Sequence, residues 1–182
     1  MYEKTLSRKT VYEGLILSVD MLDVELEDGR KSKREIVQHG VAVAIIAQLP
    51  DDRFVFIRQF RKPMERICFE VVAGNCDPGE EEAVSAGREL KEETGYDFQT
   101  LELLGPIFPS VGYCTERIDI FFAKISNEPG ATSFDEDERI ETVIVSEAEM
   151  DELIRSGGVA DAKTLAAWML YKVKNTGSSR LE

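Results

Sequence analysis

Pro78 to Tyr96 is a helix-forming stretch set between strand-forming regions, and it restricts the possible folds of this chain more than any other segment. Ala83, Ala86 and Leu90, with Val84 and Gly87 less strictly, recur at the i, i+3/i+4, i+7 spacing of one helix face. Gly95 supplies a C-terminal stop. The acids Glu80, Glu81, Glu82, Glu89, Glu92 and Glu93 crowd the same stretch. The result is an amphipathic helix with an acidic face.

The flanking sequence reads as sheet. Leu15–Leu26 is apolar and broadly alternating, Glu27-Asp28-Gly29-Arg30 carries the Asp-Gly hairpin signal, and Lys33–Gln38 is the return strand. Val41–Ala47 and Phe54–Gln59 are two strands joined by Leu49-Pro50-Asp51-Asp52. Ile67–Val72, Leu101–Gly105, Ile118–Ile125 and Thr142–Val145 are further strands, and Ser126–Glu138 is an acid-rich loop. Ser146 with Glu149 forms a capping box that opens a helix through Ile154. Asp161–Val173 is a last helix, on which Leu165 and Trp168 fill core. Met1–Val11 is polar and mixed, with no apolar h-region of a signal peptide. Strands and helices in this irregular order predict an α+β or a three-layer α/β/α arrangement.

At 182 residues and 43% hydrophobic, the chain fits one domain with an added element. Its net charge of -13 repels a phosphate backbone, so no nucleic-acid partner is expected. A divalent metal and a few arginines can still invert the field at one site and admit a small anionic ligand. No run reaches the roughly 18 apolar residues of a membrane span. Cys68, Cys76 and Cys114 form neither a disulfide framework nor a CxxC clip, which predicts a reducing cytoplasm. Cys68 and Cys76 read as packing residues, while Cys114 lies in the loop assigned below to substrate. The lone His39 reads as structural and supports no histidine metal cluster. Any catalysis must rest mainly on carboxylates.

Glu89, Glu92 and Glu93 stand at i, i+3 and i+4 and share a helix face. Such crowding destabilises a helix unless something positive sits among the acids. By spacing alone the cluster is either a solvated acidic face or a site for a hard divalent cation, which takes oxygen ligands and bridges phosphates. Arg88 beside it can orient a carboxylate.

Gly74, Glu80 and the run Arg88-Glu89-Leu90-Lys91-Glu92-Glu93-Thr94-Gly95-Tyr96 together match G-x5-E-x7-R-E-U-x-E-E-x-G-U, with U bulky and apolar, at every constrained position. The sequence therefore resembles the Nudix hydrolases. The resemblance implies a Nudix α/β/α sandwich with a mixed sheet, holding Mg²⁺ or Mn²⁺ and hydrolysing a pyrophosphate bond. It makes Glu89 and Glu93 the main metal ligands, with the carbonyl of Ala73 completing the site. Glu92 becomes a further ligand, direct or through water, and so part of the catalytic set. Glu80 and Arg88 become braces of the loop and helix.

Outside this motif, the chain resembles the ADP-ribose pyrophosphatase and nucleoside-diphosphate-sugar branch. The residues that carry this are Lys33-Arg34-Glu35-Ile36-Val37, Phe56–Arg61, Glu70-Val71-Val72-Ala73-Gly74, Pro109–Arg117 and Asp135–Glu141. Val72 and Val111 stand where the branch usually has proline. This resemblance implies a domain plan of an N-terminal β dimerisation unit (1–39), a catalytic domain (40–176) and a tail (177–182). Arg34 and Glu35 would lie near the nucleobase at the interface of a homodimer, Arg61 would contact phosphate, and Glu116 would accept bonds from the terminal sugar. Glu136 would be the general base, with Glu138 a metal-facing or reserve carboxylate. A solvated loop is the bland alternative for Asp135–Glu138.

The expected activity is Mg²⁺-dependent cleavage of ADP-ribose or a related nucleoside diphosphate sugar to a nucleoside monophosphate and a sugar phosphate. Alternatives are a GDP-mannose or broad sugar-nucleotide hydrolase, a non-catalytic ADP-ribose-binding module, and a prenyl-diphosphate isomerase, which the branch motifs oppose.

Overall fold

The computed structural model describes residues 1–134 and 139–178. The chain divides into two compact units, one of Met1–Val41 with Phe108–Arg117 and one of Ala42–Ile107 with Ile118–Glu182.

The first unit is a three-stranded sheet in the order β1 (Glu3–Glu13), β2 (Ser18–Leu26), β3 (Lys31–Gln38). Both pairings are antiparallel. The β2–β3 turn closes as the Asp-Gly signal predicts, with Gly29 at φ 81° and its N–H donating to the Leu26 carbonyl at 2.9 Å. The strand β1 lies where the sequence suggests no element. All its residues are exposed, so no apolar alternation marks it. It is held by backbone pairing and by polar cross-strand bonds, Ser7 Oγ to Asp23 at 2.8 Å and Thr10 Oγ1 to Asp20 at 2.7 Å, with Arg8 also on Asp20. The 108–117 segment runs along β3. Val37 N–H donates to the Tyr113 carbonyl at 2.7 Å, and Thr115 N–H to the Val37 carbonyl at 3.0 Å.

In the second unit, β4 (Val41–Gln48) and β5 (Phe54–Arg61) are apolar throughout their cores because both sheet faces are covered. Side chains alternate across a strand. Ala42, Ala44, Ile46, Phe54 and Phe56 pack with Met150, Ala167, Trp168 and Tyr171, whereas Val43, Ile45, Ala47, Val55 and Ile57 pack with Ala86 and Leu90. Met150 belongs to α2 (Glu147–Arg155), Ala167, Trp168 and Tyr171 to α3 (Ala162–Ser178), and Ala86 and Leu90 to α1 (Glu82–Thr94). Helices thus cover both faces, and the expected sandwich forms. Trp168 meets Phe54 edge-on at 5.1 Å and donates its Nε1–H to Asp151 at 2.8 Å. The Ser146–Glu149 capping box is present at the start of α2.

The sheet runs β10 (Ile140–Val145), β5, β4, β9 (Arg117–Ile125), β8 (Phe98–Ile107). The single strand expected over Ile67–Val72 is instead two. β6 (Arg66–Glu70) pairs with β5, and β7 (Val72–Asn75) pairs with β4, with buried Val71 at the switch. The run Ile67–Val72 is apolar on both sides of Glu70 and carries no mark of a change of partner. The switch matters because it delivers Glu70 to one strand's flank and Ala73-Gly74 to another.

Candidate active site

The strand β7 leads through a turn, with Gly79 at φ 83°, into α1. The helix buries Ser85, Ala86, Leu90, Glu93 and Thr94. Glu93 therefore lies on the covered side, 4% exposed, while Glu92, on the same face at the spacing predicted, is 41% exposed at its side chain. Gly74 is where it is for a steric reason: a Cβ there would fall onto the Glu89 carboxylate. Gly95 ends the helix in the left-handed conformation at φ 77°, and a Cβ there would meet the Gly130 carbonyl.

Arg88 is the positive group that the crowded acids require. It donates to Glu80 at 3.0 and 3.1 Å, to Glu89 at 2.8 Å, to Glu92 at 3.1 Å and to the Asn75 carbonyl at 3.1 Å. Glu80 also accepts from Ser85 Oγ and from the Asp77 N–H. These bonds, Arg88 first, hold the Glu80 carboxyl down at about 2, and Glu80 in turn raises the Arg88 guanidinium. Loop, helix start and acidic face are thus tied through one side chain.

Ala73, Glu89, Glu92 and Glu93 line one cleft of about 480 Å³, and Arg61 stands in its wall. Every metal-ligating candidate here offers oxygen, the donor that Mg²⁺ or Mn²⁺ takes, and Gly74 leaves room beside the Glu89 carboxylate. The donor chemistry fits a hard divalent cation. Among the described residues no three acidic, histidine or cysteine groups converge as a ready-made cluster. Glu89 and Glu92 are turned onto Arg88, so they would have to swing to bind a metal.

Arg61, the expected phosphate ligand, makes a two-bond fork with Glu70, Nε to Oε1 and Nη2 to Oε2, both at 2.7 Å. Lys163 Nζ also bonds Glu70. Glu70 is 2% exposed. The sequence signals Glu70 only as a glutamate inside the apolar run Ile67–Val72 and assigns it no role.

The remaining site residues fall elsewhere. Arg34 and Glu35 lie on β3 in the N-terminal unit, where Arg34 pairs with Glu3 at 2.5 Å and Glu35 is exposed. Glu116 is in the same unit, 3.9 Å from His39 Nδ1. The His39 N–H donates to Thr115 Oγ1 at 2.9 Å. Glu136 and Glu138 lie outside the described residues. The segment leading toward them is fastened to the end of α1: Gly130 N–H donates to the Gly95 carbonyl at 2.7 Å and Ser133 N–H to the Glu92 carbonyl at 3.0 Å. No helix among the described residues is long and apolar enough to cross a membrane.

A cleft of carboxylates raised on a strand–loop–helix, in a fold whose sheet is covered by helices on both faces, defines a class that comparison with known proteins makes explicit. Residues 38–168 match the NUDIX domain. The chain is 37% identical to the ADP-ribose pyrophosphatase of Bacillus subtilis (strain 168) over 94% of each protein. It is also 37% identical to the methanol dehydrogenase activator of Bacillus methanolicus, over 91% of this chain and 90% of that one. A crystal structure of an ADP compounds hydrolase superposes with a TM-score of 0.87 at 25% identity, covering 100% of this chain and 98% of the other. The chain belongs to the Nudix family. Members of that family generally use divalent metal ions.

Proposed function

We propose that this protein is a Mg²⁺-dependent hydrolase, with Mn²⁺ able to serve, that splits the pyrophosphate bond of ADP-ribose or a related nucleoside diphosphate sugar. The products are a nucleoside monophosphate and a sugar phosphate. The observation that carries this reading is the single cleft shared by Ala73, Glu89, Glu92, Glu93 and Arg61, in a chain so similar to an ADP-ribose pyrophosphatase along nearly its whole length.

Glu89, Glu93 and the Ala73 carbonyl would hold the metal, with Glu92 as a further ligand. Once bound, a hard divalent ion there neutralises the pyrophosphate and polarises the attacking water. Arg61 supplies a planar guanidinium to a phosphate oxygen, a geometry that lysine cannot reproduce. Glu136 takes a proton from the water as its oxygen bonds to phosphorus and the bridging P–O bond breaks. Glu138 is a metal-facing or reserve carboxylate. Glu116 accepts hydrogen bonds from the terminal sugar, and Arg34 and Glu35 lie near the base. Residues 1–39 serve as a dimerisation unit for a homodimer working in the cytoplasm, followed by the catalytic domain (40–176) and the tail (177–182).

The test is a panel of ADP-ribose, ADP-glucose, GDP-mannose, UDP-glucose and dinucleoside polyphosphates with Mg²⁺, its products read by mass spectrometry. AMP and ribose 5-phosphate should dominate. Comparable cleavage of several sugar nucleotides would make the protein a broad hydrolase instead, and ligand binding without cleavage would make it a binding module. Glu136→Gln should lower kcat far more than it raises KM, by roughly 10²- to 10⁴-fold. A larger loss in Glu138→Gln would transfer the base to Glu138.

A further inference from the structure

Glu70 has no task in the hydrolysis set out above, yet it is among the most enclosed carboxylates of the protein. It ends β6, is 2% exposed, and accepts from Arg61 Nε and Nη2 at 2.7 Å each and from Lys163 Nζ. Burying a carboxylate is costly, and good pairing must offset that cost. Here burial pushes the Glu70 carboxyl up, but Arg61 and Lys163 outweigh it and keep the group ionised.

The support continues into α3. Lys163 also pairs with Asp161 at 3.0 Å. Asp161 caps the helix by accepting the Thr164 N–H at 3.0 Å and its hydroxyl at 2.6 Å. Thr164 Oγ1 in turn accepts the backbone N–H of Val71 at 2.8 Å, across 93 residues of sequence. The residue beside Glu70 is therefore fastened to the first turn of α3. Two parallel N–H···O bonds fix the plane of a guanidinium as well as its position. Glu70 occupies one edge of the fork and takes two of its five N–H groups. The Nη1 edge is not the one Glu70 uses, and Arg61 stands in the wall of the carboxylate cleft.

We propose that Glu70 is a positioning residue: anchored by Lys163 and the capped start of α3, it orients Arg61 toward the pyrophosphate. This rests on the phosphate-binding role of Arg61 proposed above.

The test is a double-mutant cycle on the full chain, with Glu70→Gln, Arg61→Ala, the double variant and Lys163→Met. Two measurements are made: kcat and KM for ADP-ribose with Mg²⁺, and ADP-ribose affinity by calorimetry in EDTA, where turnover plays no part. Glu70→Gln should raise KM and weaken the calorimetric affinity roughly 10- to 100-fold, with a smaller change in kcat. In the Arg61→Ala background the same substitution should cost nothing further, because there is no guanidinium left to orient. Lys163→Met should give the same split to a lesser degree. If Glu70→Gln does not fold, Lys163→Met against Arg61→Ala decides the matter in the same way. An undiminished effect of Glu70→Gln in the Arg61→Ala background overturns the positioning role. So does a damaging Arg61→Ala paired with a harmless Glu70→Gln, which leaves the phosphate role standing. A harmless Arg61→Ala removes both.

Discussion

Arg88 and Arg61 each gather carboxylates around a guanidinium, but the two clusters are assembled from opposite materials. The partners of Arg88 all lie within 13 residues of it, and they differ in exposure: Glu92 is 41% exposed at its side chain, Glu89 only 13%. Arg61 leans on Glu70, which is 2% exposed and held by Lys163 from a helix 93 residues further along the chain. A half-exposed ion pair is weak and exchanges partners easily, whereas breaking a buried one strands a charge. Within the Arg88 cluster, the more exposed Glu92 is therefore suited to be released when a cation arrives. The Arg61 cluster is suited to hold one geometry throughout.

The sharpest test of that contrast is the proposed metal face. Glu93→Gln keeps the side-chain shape and removes the charge, so turnover should fall by about 10²–10³-fold or more. Circular dichroism should still show a folded protein. Near-normal activity at saturating Mg²⁺ would remove Glu93 from the metal-holding set.

A smaller effect is expected at Gly74. The side chain in the way of a new Cβ is the far end of Glu89, so Gly74→Ala should leave the fold largely intact and displace that carboxylate. The Mg²⁺ concentration for half-maximal activity should rise roughly 10-fold or more, as a metal titration of activity would show. An unchanged titration with a large loss of melting temperature would make Gly74 a packing position.

The mildest effect concerns acid. Glu80 has a native value of about 2 against an ordinary 4.5, chiefly because of Arg88. A depressed carboxyl stabilises the native state above 4.5, and this contribution is lost as pH falls from 4.5 toward 2, where the unfolded chain takes up the proton first. Denaturant midpoints measured across that window should fall with pH in the wild type and less steeply in Glu80→Gln. Parallel curves would show that ionised Glu80 contributes nothing to stability in that window.

These clusters also divide what was legible in the chain. The helix face of Glu89, Glu92 and Glu93, its glycine stop and its bracing Arg88 were all readable, because residues within one or two helical turns meet whatever the rest of the chain does. The doubly covered β4 and β5 were readable from unbroken apolar runs, and the capping box of α2 from two residues. β1 was not readable, because every residue on it is exposed and no burial pattern was selected. The break at Val71 was also hidden: pairing with β5 on one side and β4 on the other leaves no trace in an apolar run. What the sequence by itself determined is the carboxylate helix and the sheet it lies on, since both follow from local periodicity. What only the tertiary structure decided is what stands behind the Arg61–Glu70 pair. Glu70 and Lys163 meet only after α3 has packed on the sheet, and no spacing in the chain records that encounter.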